Sequence, residues 1–133
     1  MSYLLDTNMI SDLVRNPQGK VAQQIRKVGE AQVCTSIIVA AELRYGAEKK
    51  ASLRLTNQLG TVLEALTILP FEPPADKIYG SIRVRLERAG IPIGANDLLI
   101  AAQALALGHT IVTDNVQEFS RVKELRRENW LRA

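Results

Sequence analysis

The sequence predicts an α/β fold: a three-layer sandwich with a mostly parallel central sheet flanked by helices. Three observations carry this. Short apolar runs such as Tyr3-Leu4-Leu5 and Thr110-Ile111-Val112-Thr113 have the length and content of buried strands. They are separated by longer segments of helical character, the alternation that builds a parallel sheet with helices on its faces. The chain has 133 residues, 47% of them hydrophobic, with no internal repeat or linker. That suits one domain, residues 1–133, around one core.

Tyr3 to Leu5 reads as a first strand stopping at the polar tip Asp6-Thr7-Asn8, and a short helix follows from Met9 to Arg15. Asn16-Pro17 reads as a helix start, Asn as N-cap and Pro at the first position, for a helix running to about Val28 and ending at Gly29. Gln32 to Thr35 is a second strand. Ser36 caps the next helix, Ile37 to Lys50, and another spans Leu53 to Ala65, weakened by Gly60. Leu66 to Phe71 is β-prone and closed by Pro70, Pro73 and Pro74. Pro74 to Ala89 is helical up to Gly90. Asn96 or Asp97 caps Leu98 to Leu107, which Gly108 ends. Thr110 to Thr113 is a strong last strand leading into Asp114.

Composition argues against several classes. No apolar stretch reaches the roughly 18 residues of a membrane span, and the N-terminus lacks the basic and apolar regions of a secretory signal. A single cysteine, Cys34, allows no internal disulfide, so a reducing cytoplasm is the expected compartment. One histidine, His109, in a turn where surface placement is expected, and one cysteine supply neither a zinc site nor a histidine-based ribonuclease. Cys34 lies in a predicted strand and reads as a small core residue. Net charge is +3, and setting four pooled acids aside leaves +7 on the rest. A basic surround suits a polyanionic substrate, although an ordinary mildly basic surface explains the same number.

Ligands of open parallel sheets bind beyond the carboxyl ends of the strands, where Asp6 and Asp114 both fall. Either is also an ordinary turn-forming Asp. Glu42 follows Ile37-Ile38-Val39-Ala40-Ala41 without a polar break. At about 100° per residue its flanks are Ile38, Val39, Tyr45 and Gly46, while Arg44 points nearly opposite, beside Ala40 and Ala41. If Arg44 marks the wet face, Glu42 turns toward the protein, where a lone carboxylate is costly unless paired or metal-bound. The alternative is a partly exposed Glu at the edge of the apolar face. Asp97 opens the apolar stretch Leu98-Leu99-Ile100-Ala101-Ala102, and a plain N-cap explains it as well. In a doubly wound sheet all four acids can converge on one edge. Packed carboxylates repel and need cations, and an all-oxygen ligand set suits Mg²⁺ or Mn²⁺.

Taken in order, Leu4-Leu5-Asp6-Thr7-Asn8, Ser36-Ile37-Ile38 through Glu42-Leu43-Arg44-Tyr45-Gly46, Asn96-Asp97-Leu98-Leu99-Ile100-Ala101-Ala102 and Ile111-Val112-Thr113-Asp114-Asn115 resemble the PIN-domain ribonucleases. Within them the chain is similar to the VapC toxins of bacterial toxin–antitoxin pairs, and its ending, Glu118-Phe119 through Val122 to Trp130, is similar too. The resemblance implies that Asp6, Glu42 and Asp97 are the three principal acids, with Asp114 at a fourth position that is Asn in some relatives. It implies that Thr113 helps to orient water, with Asn8 and Asn96 supporting the acids; turn and cap duties are their alternatives. It further implies hydrolysis of RNA, tRNA in particular, leaving a 5′-phosphate and a 3′-hydroxyl, with Mg²⁺ or Mn²⁺ as cofactor. A VapB-like antitoxin and a homodimer are the implied partners.

Arg83, Arg85, Arg88, Arg121, Lys123, Arg126 and Arg127 are candidates for positioning phosphates, or are simply solvated surface. Ile10, Leu13 and Leu53 are candidates for a partner surface, or for core. Two other readings compete. A phospho-receiver domain calls for an adjacent acid pair after the first strand, whereas Asp6 is followed by Thr7-Asn8. A catalytically silent PIN-fold module that binds RNA or protein has the same residues, and metal-dependent cleavage separates the two.

Overall fold

Three-residue runs without polar alternation make strands only where both faces are covered, and Leu4, Leu5, Ile111 and Val112 are all fully buried. The structure, a computed structural model, describes residues 2–132. The chain runs β1 (Tyr3–Leu5), α1 (Thr7–Arg15), α2 (Lys20–Val28), a 3₁₀ turn (Glu30–Gln32), β2 (Val33–Ser36), α3 (Ile37–Lys50) and α4 (Leu53–Glu64). It continues through β3 (Thr67–Leu69), α5 (Ala75–Arg88), α6 (Ala95–Leu107), β4 (Thr110–Val112), α7 (Val116–Phe119) and β5 (Arg127–Glu128). The strand order is β3-β2-β1-β4-β5 and every pairing is parallel. This is the three-layer α/β sandwich expected from the sequence.

From β1 the chain steps outward through β2 to β3, then returns to the other side of β1 for β4. Right-handed crossovers therefore put α1–α4 on one face and α5–α6 on the other. The reversal lies between β1 and β4, whose register pairs Leu5 with Val112. At such a switch point the loops leaving the two strands diverge and open a crevice. Asp6 and Thr113 are the first residues beyond the two strands. The site's location follows from that.

Under the crevice the core is continuous: Leu4, Leu5, Met9, Ile10, Val39, Leu63, Ile100, Ala101, Ile111 and Phe119 are each no more than 1% exposed. Each large aliphatic or aromatic side chain there contributes roughly 1.5–3 kcal/mol of apolar burial. Ile10 thus belongs to the core and is not available to a partner, whereas Leu53 is 76% exposed. Cys34 is buried, which pushes its thiol up to about 11, in keeping with a core residue and not a nucleophile. His109, expected at the surface, is half-buried.

Three boundaries depart from expectation. The first helix starts at Thr7, two residues early, because Asp6 caps it: the Thr7 N–H donates to Asp6 Oδ1 at 2.8 Å. Asn16 is the C-cap of α1 and not a helix start, and α2 begins only at Lys20. A Cβ on Gly19 would stand 2.9 Å from that of Asn16, so the intervening turn closes only around glycine. Helix α6 starts at Ala95 with Gly94 as its cap, which places Asp97 inside the first turn and frees its side chain from capping. The ending also forms two elements, α7 and β5, too short to show periodicity in the sequence. Strand β5 exists through its pairing to β4, where Thr113 N–H donates to the Glu128 carbonyl at 2.9 Å.

Ser36 caps α3 as expected, accepting from the Ile38 N–H at 3.0 Å. Its hydroxyl also donates to Gln103 Oε1, while Gln103 Nε2 donates to the carbonyls of Leu69 at 3.2 Å and Pro70 at 3.0 Å. This buried amide on α6 thereby ties the ends of β2 and β3 together. Gln103→Leu strips all three partners, and a buried group left unsatisfied costs about 1–3 kcal/mol. Urea unfolding of that variant should show a loss of at least about 2 kcal/mol; a change below about 0.5 kcal/mol would mean the network is compensated elsewhere.

Candidate active site

Asp6 is only 3% exposed, held at the end of β1 by the strand and at the start of α1 by the helix it caps. Its Oδ1 accepts from Thr7 N–H, and its Oδ2 accepts from the hydroxyl of fully buried Thr113 at 2.8 Å. Thr113 in turn accepts from the Asn115 N–H at 3.0 Å, so the two strand ends are locked across the switch point. Burial pushes the Asp6 carboxyl above its ordinary value, and the hydrogen bonds from Thr113 and Thr7 oppose the shift.

Glu42 lies half-buried on α3, with Oε1 buried and without a hydrogen-bond partner among the described residues. Burial raises its pKa, Asn96 at the start of α6 counters with a hydrogen bond, and the Asp6 charge raises it further. Helix α3 has no single wet face: Val39, Ala40 and Ala47 are buried, while Tyr45, a flank of Glu42, is 67% exposed. The helix packs against α1, α4 and α6, so its covered surface wraps around it and Arg44 does not mark one wet side.

Asp97 is pushed up to about 7, by burial first and then by the charges of Asp6 and Glu118. Glu118 is a further acid of this group, marked in the sequence only as the start of the ending Glu118-Phe119 and given no role there. It stands on α7, held below the usual range chiefly by the Gly94 N–H, which donates to Oε1 at 2.8 Å. Asn115 Nδ2 donates to Glu118 Oε2 at 2.6 Å and approaches Asp97 Oδ2 at 3.5 Å. Of the two, Asp97 holds its proton the more tightly, because Glu118 already accepts from two donors. A second signal for Glu118 is its place four residues after Asp114 in Asp114-Asn115-Val116-Gln117-Glu118. One helical turn there swings it back over Gly94 and Asp97.

Asp6, Glu42, Asp97 and Glu118 therefore converge, and among the described residues no Lys or Arg forms a salt bridge with any of them. The chemistry of this donor set, all carboxylate with one orphaned buried oxygen, fits a hard divalent cation. Among the described residues no three such side chains form a ready-made metal cage.

A PIN-domain family model matches residues 3–125. Over 98% of the chain and 99% of the relative, it is 36% identical to ribonuclease VapC2 of Haemophilus influenzae. It is 33% identical to the tRNA(fMet)-specific endonuclease VapC of Shigella flexneri, with 98% of each covered. This chain belongs to the VapC family of PIN-domain proteins. Among solved structures, a chain of VapBC2 from Rickettsia felis bound to a promoter DNA fragment superposes with a TM-score of 0.89 at 34% identity, covering 98% of this chain and 99% of that one.

Within this PIN domain the other expected site residues fall as follows. Asp114 is not brought to the cluster. Its Oδ1 accepts from Asn129 Nδ2 at 2.8 Å and from Arg132 Nε at 2.9 Å, and that pairing, Arg132 first, lowers its pKa. It lies in the bend between β4 and α7, where Asn129 and Arg132 of the ending hold its side chain. Asn8 Oδ1 accepts from the Asp114 N–H at 2.9 Å and so shapes this loop. Of the basic candidates, Arg83 pairs with Glu87 and Arg85 with Glu124, exposed contacts that water screens. Arg121 donates to the Pro92 carbonyl at 2.8 Å, Arg126 to that of Gly108 at 2.6 Å and Arg127 to that of Leu125 at 3.2 Å. Gly108 precedes β4, at the sheet edge opposite the carboxylates.

Proposed function

We propose that this chain is an endoribonuclease toxin that uses Mg²⁺ or Mn²⁺ to hydrolyse RNA, tRNA in particular, and that a VapB-like antitoxin neutralises it. The observation that carries this reading is the group of Asp6, Glu42, Asp97 and Glu118 at the sheet's switch point, whose charges act on one another and which form no salt bridge among the described residues. Carboxylates that raise one another's pKa weaken a fold, so their assembly points to use. The names of the Haemophilus ribonuclease and the Shigella tRNA endonuclease support the substrate class. The VapBC2 assembly of Rickettsia supports the antitoxin. Residues 1–133 act in this reading as one catalytic unit in the cytoplasm, as a homodimer; among the described residues no helix is long and apolar enough to cross a membrane.

Asp6, Glu42, Asp97 and Glu118 would hold the cation. When bound, it lowers the pKa of a water molecule and offsets the charge that develops on the phosphoryl oxygens. Thr113 keeps Asp6 Oδ2 fixed, and Asn96 orients Glu42. Asn115 bridges Asp97 and Glu118, and Asp97 would ligate as its carboxylate. An apolar groove lined by Val14, Leu43, Ala47, Leu55 and Leu59 opens beside Glu42, and an antitoxin segment seated there would cover the carboxylates.

Incubation of the purified chain with unfractionated tRNA tests the reading. Cleavage in Mg²⁺ or Mn²⁺, with 5′-phosphate ends, and its disappearance in EDTA are the expected results. No cleavage in either metal, or cleavage undiminished by EDTA, would favour a PIN fold that binds without cutting.

A further inference from the structure

Most arginines of α5 and the ending are already committed, yet three cations of another set make no salt bridge among the described residues. Two adjoining clefts meet at Lys20, between the α1–α2 turn and the C-terminal tail. They are lined by Arg15, Lys20, Lys27 and Arg132, all exposed, together with the amides of Gln24 and Asn129 among others. Asp12 is the one acid in either lining; it is buried, and its Oδ1 accepts from Asn16 Nδ2 at 2.9 Å. Among the described residues Arg15, Lys20 and Lys27 make no salt bridge.

The clefts adjoin the carboxylates through a short series of hydrogen bonds. Asp114 holds both Asn129 and Arg132, and its N–H is fixed by Asn8 at the start of α1, two residues after Asp6. Lys20 Nζ approaches the Leu131 carbonyl at 3.5 Å, which joins the turn to the tail. The residue expected from the sequence to be a fourth catalytic acid thus stands at the junction of the acidic and basic surfaces, and orients a cation of the latter.

We propose that this cleft is the track along which an RNA strand lies as it reaches the carboxylate site, with Arg15, Lys20, Lys27 and Arg132 on its phosphates. Spaced cations along a groove neutralise a backbone without reading its sequence, and neighbouring amides can hydrogen-bond bases or 2′-hydroxyls. This rests on the ribonuclease reading above. A protein partner with an acidic segment would seek the same charges, and it is the alternative outcome of the test.

The test is RNA binding by the full chain in an Asp97→Asn background, with unfractionated tRNA as probe, over a range of salt concentrations. Lys20→Gln/Lys27→Gln should weaken binding about tenfold or more near 100 mM salt and reduce the slope of log affinity against log salt by about 2, one for each phosphate no longer neutralised. Lys49→Gln/Lys77→Gln removes equal charge from exposed sites elsewhere and should leave the slope unchanged. Equal weakening in both doubles would mean nonspecific attraction and overturn the track. So would tRNA binding unchanged by Lys20→Gln/Lys27→Gln while the wild type still cleaves, which would leave the ribonuclease reading intact. If the cleft binds no tRNA and the active chain cleaves none, both readings fall.

Discussion

Asp97→Asn should lower tRNA cleavage by about 10²- to 10³-fold, the usual cost of losing one group that stabilises developing charge, while making the metal-free protein more stable at pH 8. The two effects have one cause. In the folded chain the Asp97 carboxyl is pushed up to about 7 by burial and by Asp6 and Glu118, against about 3.9 in an unfolded chain. The folded state therefore holds this proton more tightly. That contribution is fully present below about pH 4 and is lost as pH rises through about 7. Burial shifts Asp6 and Glu42 in the same direction, so metal-free wild type should lose stability across this window. Asn carries no charge at any pH and should flatten the profile, with a melting temperature about 2–5 °C above wild type at pH 8. Mn²⁺ should raise the wild-type melting temperature by mass action and move the variant much less. Parallel pH profiles for the two proteins would show that Asp97 bears no such strain.

Glu118→Gln and Asp114→Asn should separate by a wide margin, with cleavage falling about 10²-fold in the first and by less than about threefold in the second. Glu118 faces Asp97 and contributes charge where a cation is to be held. Gln keeps a carbonyl for the Gly94 N–H but loses that charge, so the fold should survive and the Mn²⁺-induced gain in melting temperature should shrink. Asp114 is tied to Arg132 and Asn129 at the edge of the site. Asn at that position keeps an acceptor for both and should act on substrate affinity, through KM, more than on kcat. Comparable kcat losses in the two variants would return Asp114 to the catalytic set and contradict the geometry that separates it from Asp97.

The position of Asp114 shows where pattern reading stops. From the sequence, an acid just past a strong last strand has the same standing as Asp6 past the first. What separates them is the bend that follows β4. Thr113 points across to Asp6, while the side chain of Asp114, in the bend, is held by Asn129 and Arg132. Glu118 is hidden for the complementary reason. Helix α7 has four residues, too few for periodicity to register, and its turn is fixed by the distant Gly94 N–H. Asp97, for which capping is an equal reading in the sequence, is freed because Gly94 takes that position and α6 begins two residues earlier.

Local chemistry was enough to determine the first four strands, their alternation with helices, the capping of α3 by Ser36 and the candidacy of Asp6, Glu42 and Asp97. Each is written in contiguous residues: apolar runs, a hydroxyl before a helix, an acid after a strand or within an apolar stretch. Tertiary structure alone decided which acids face one another, that Arg83 and Arg85 are neutralised by Glu87 and Glu124, and that Lys20 and Lys27 share a cleft with Arg132. Those outcomes depend on strand order and on contacts between residues as far apart as Lys20 and Leu131, and electrostatic coupling acts through space, not along the chain.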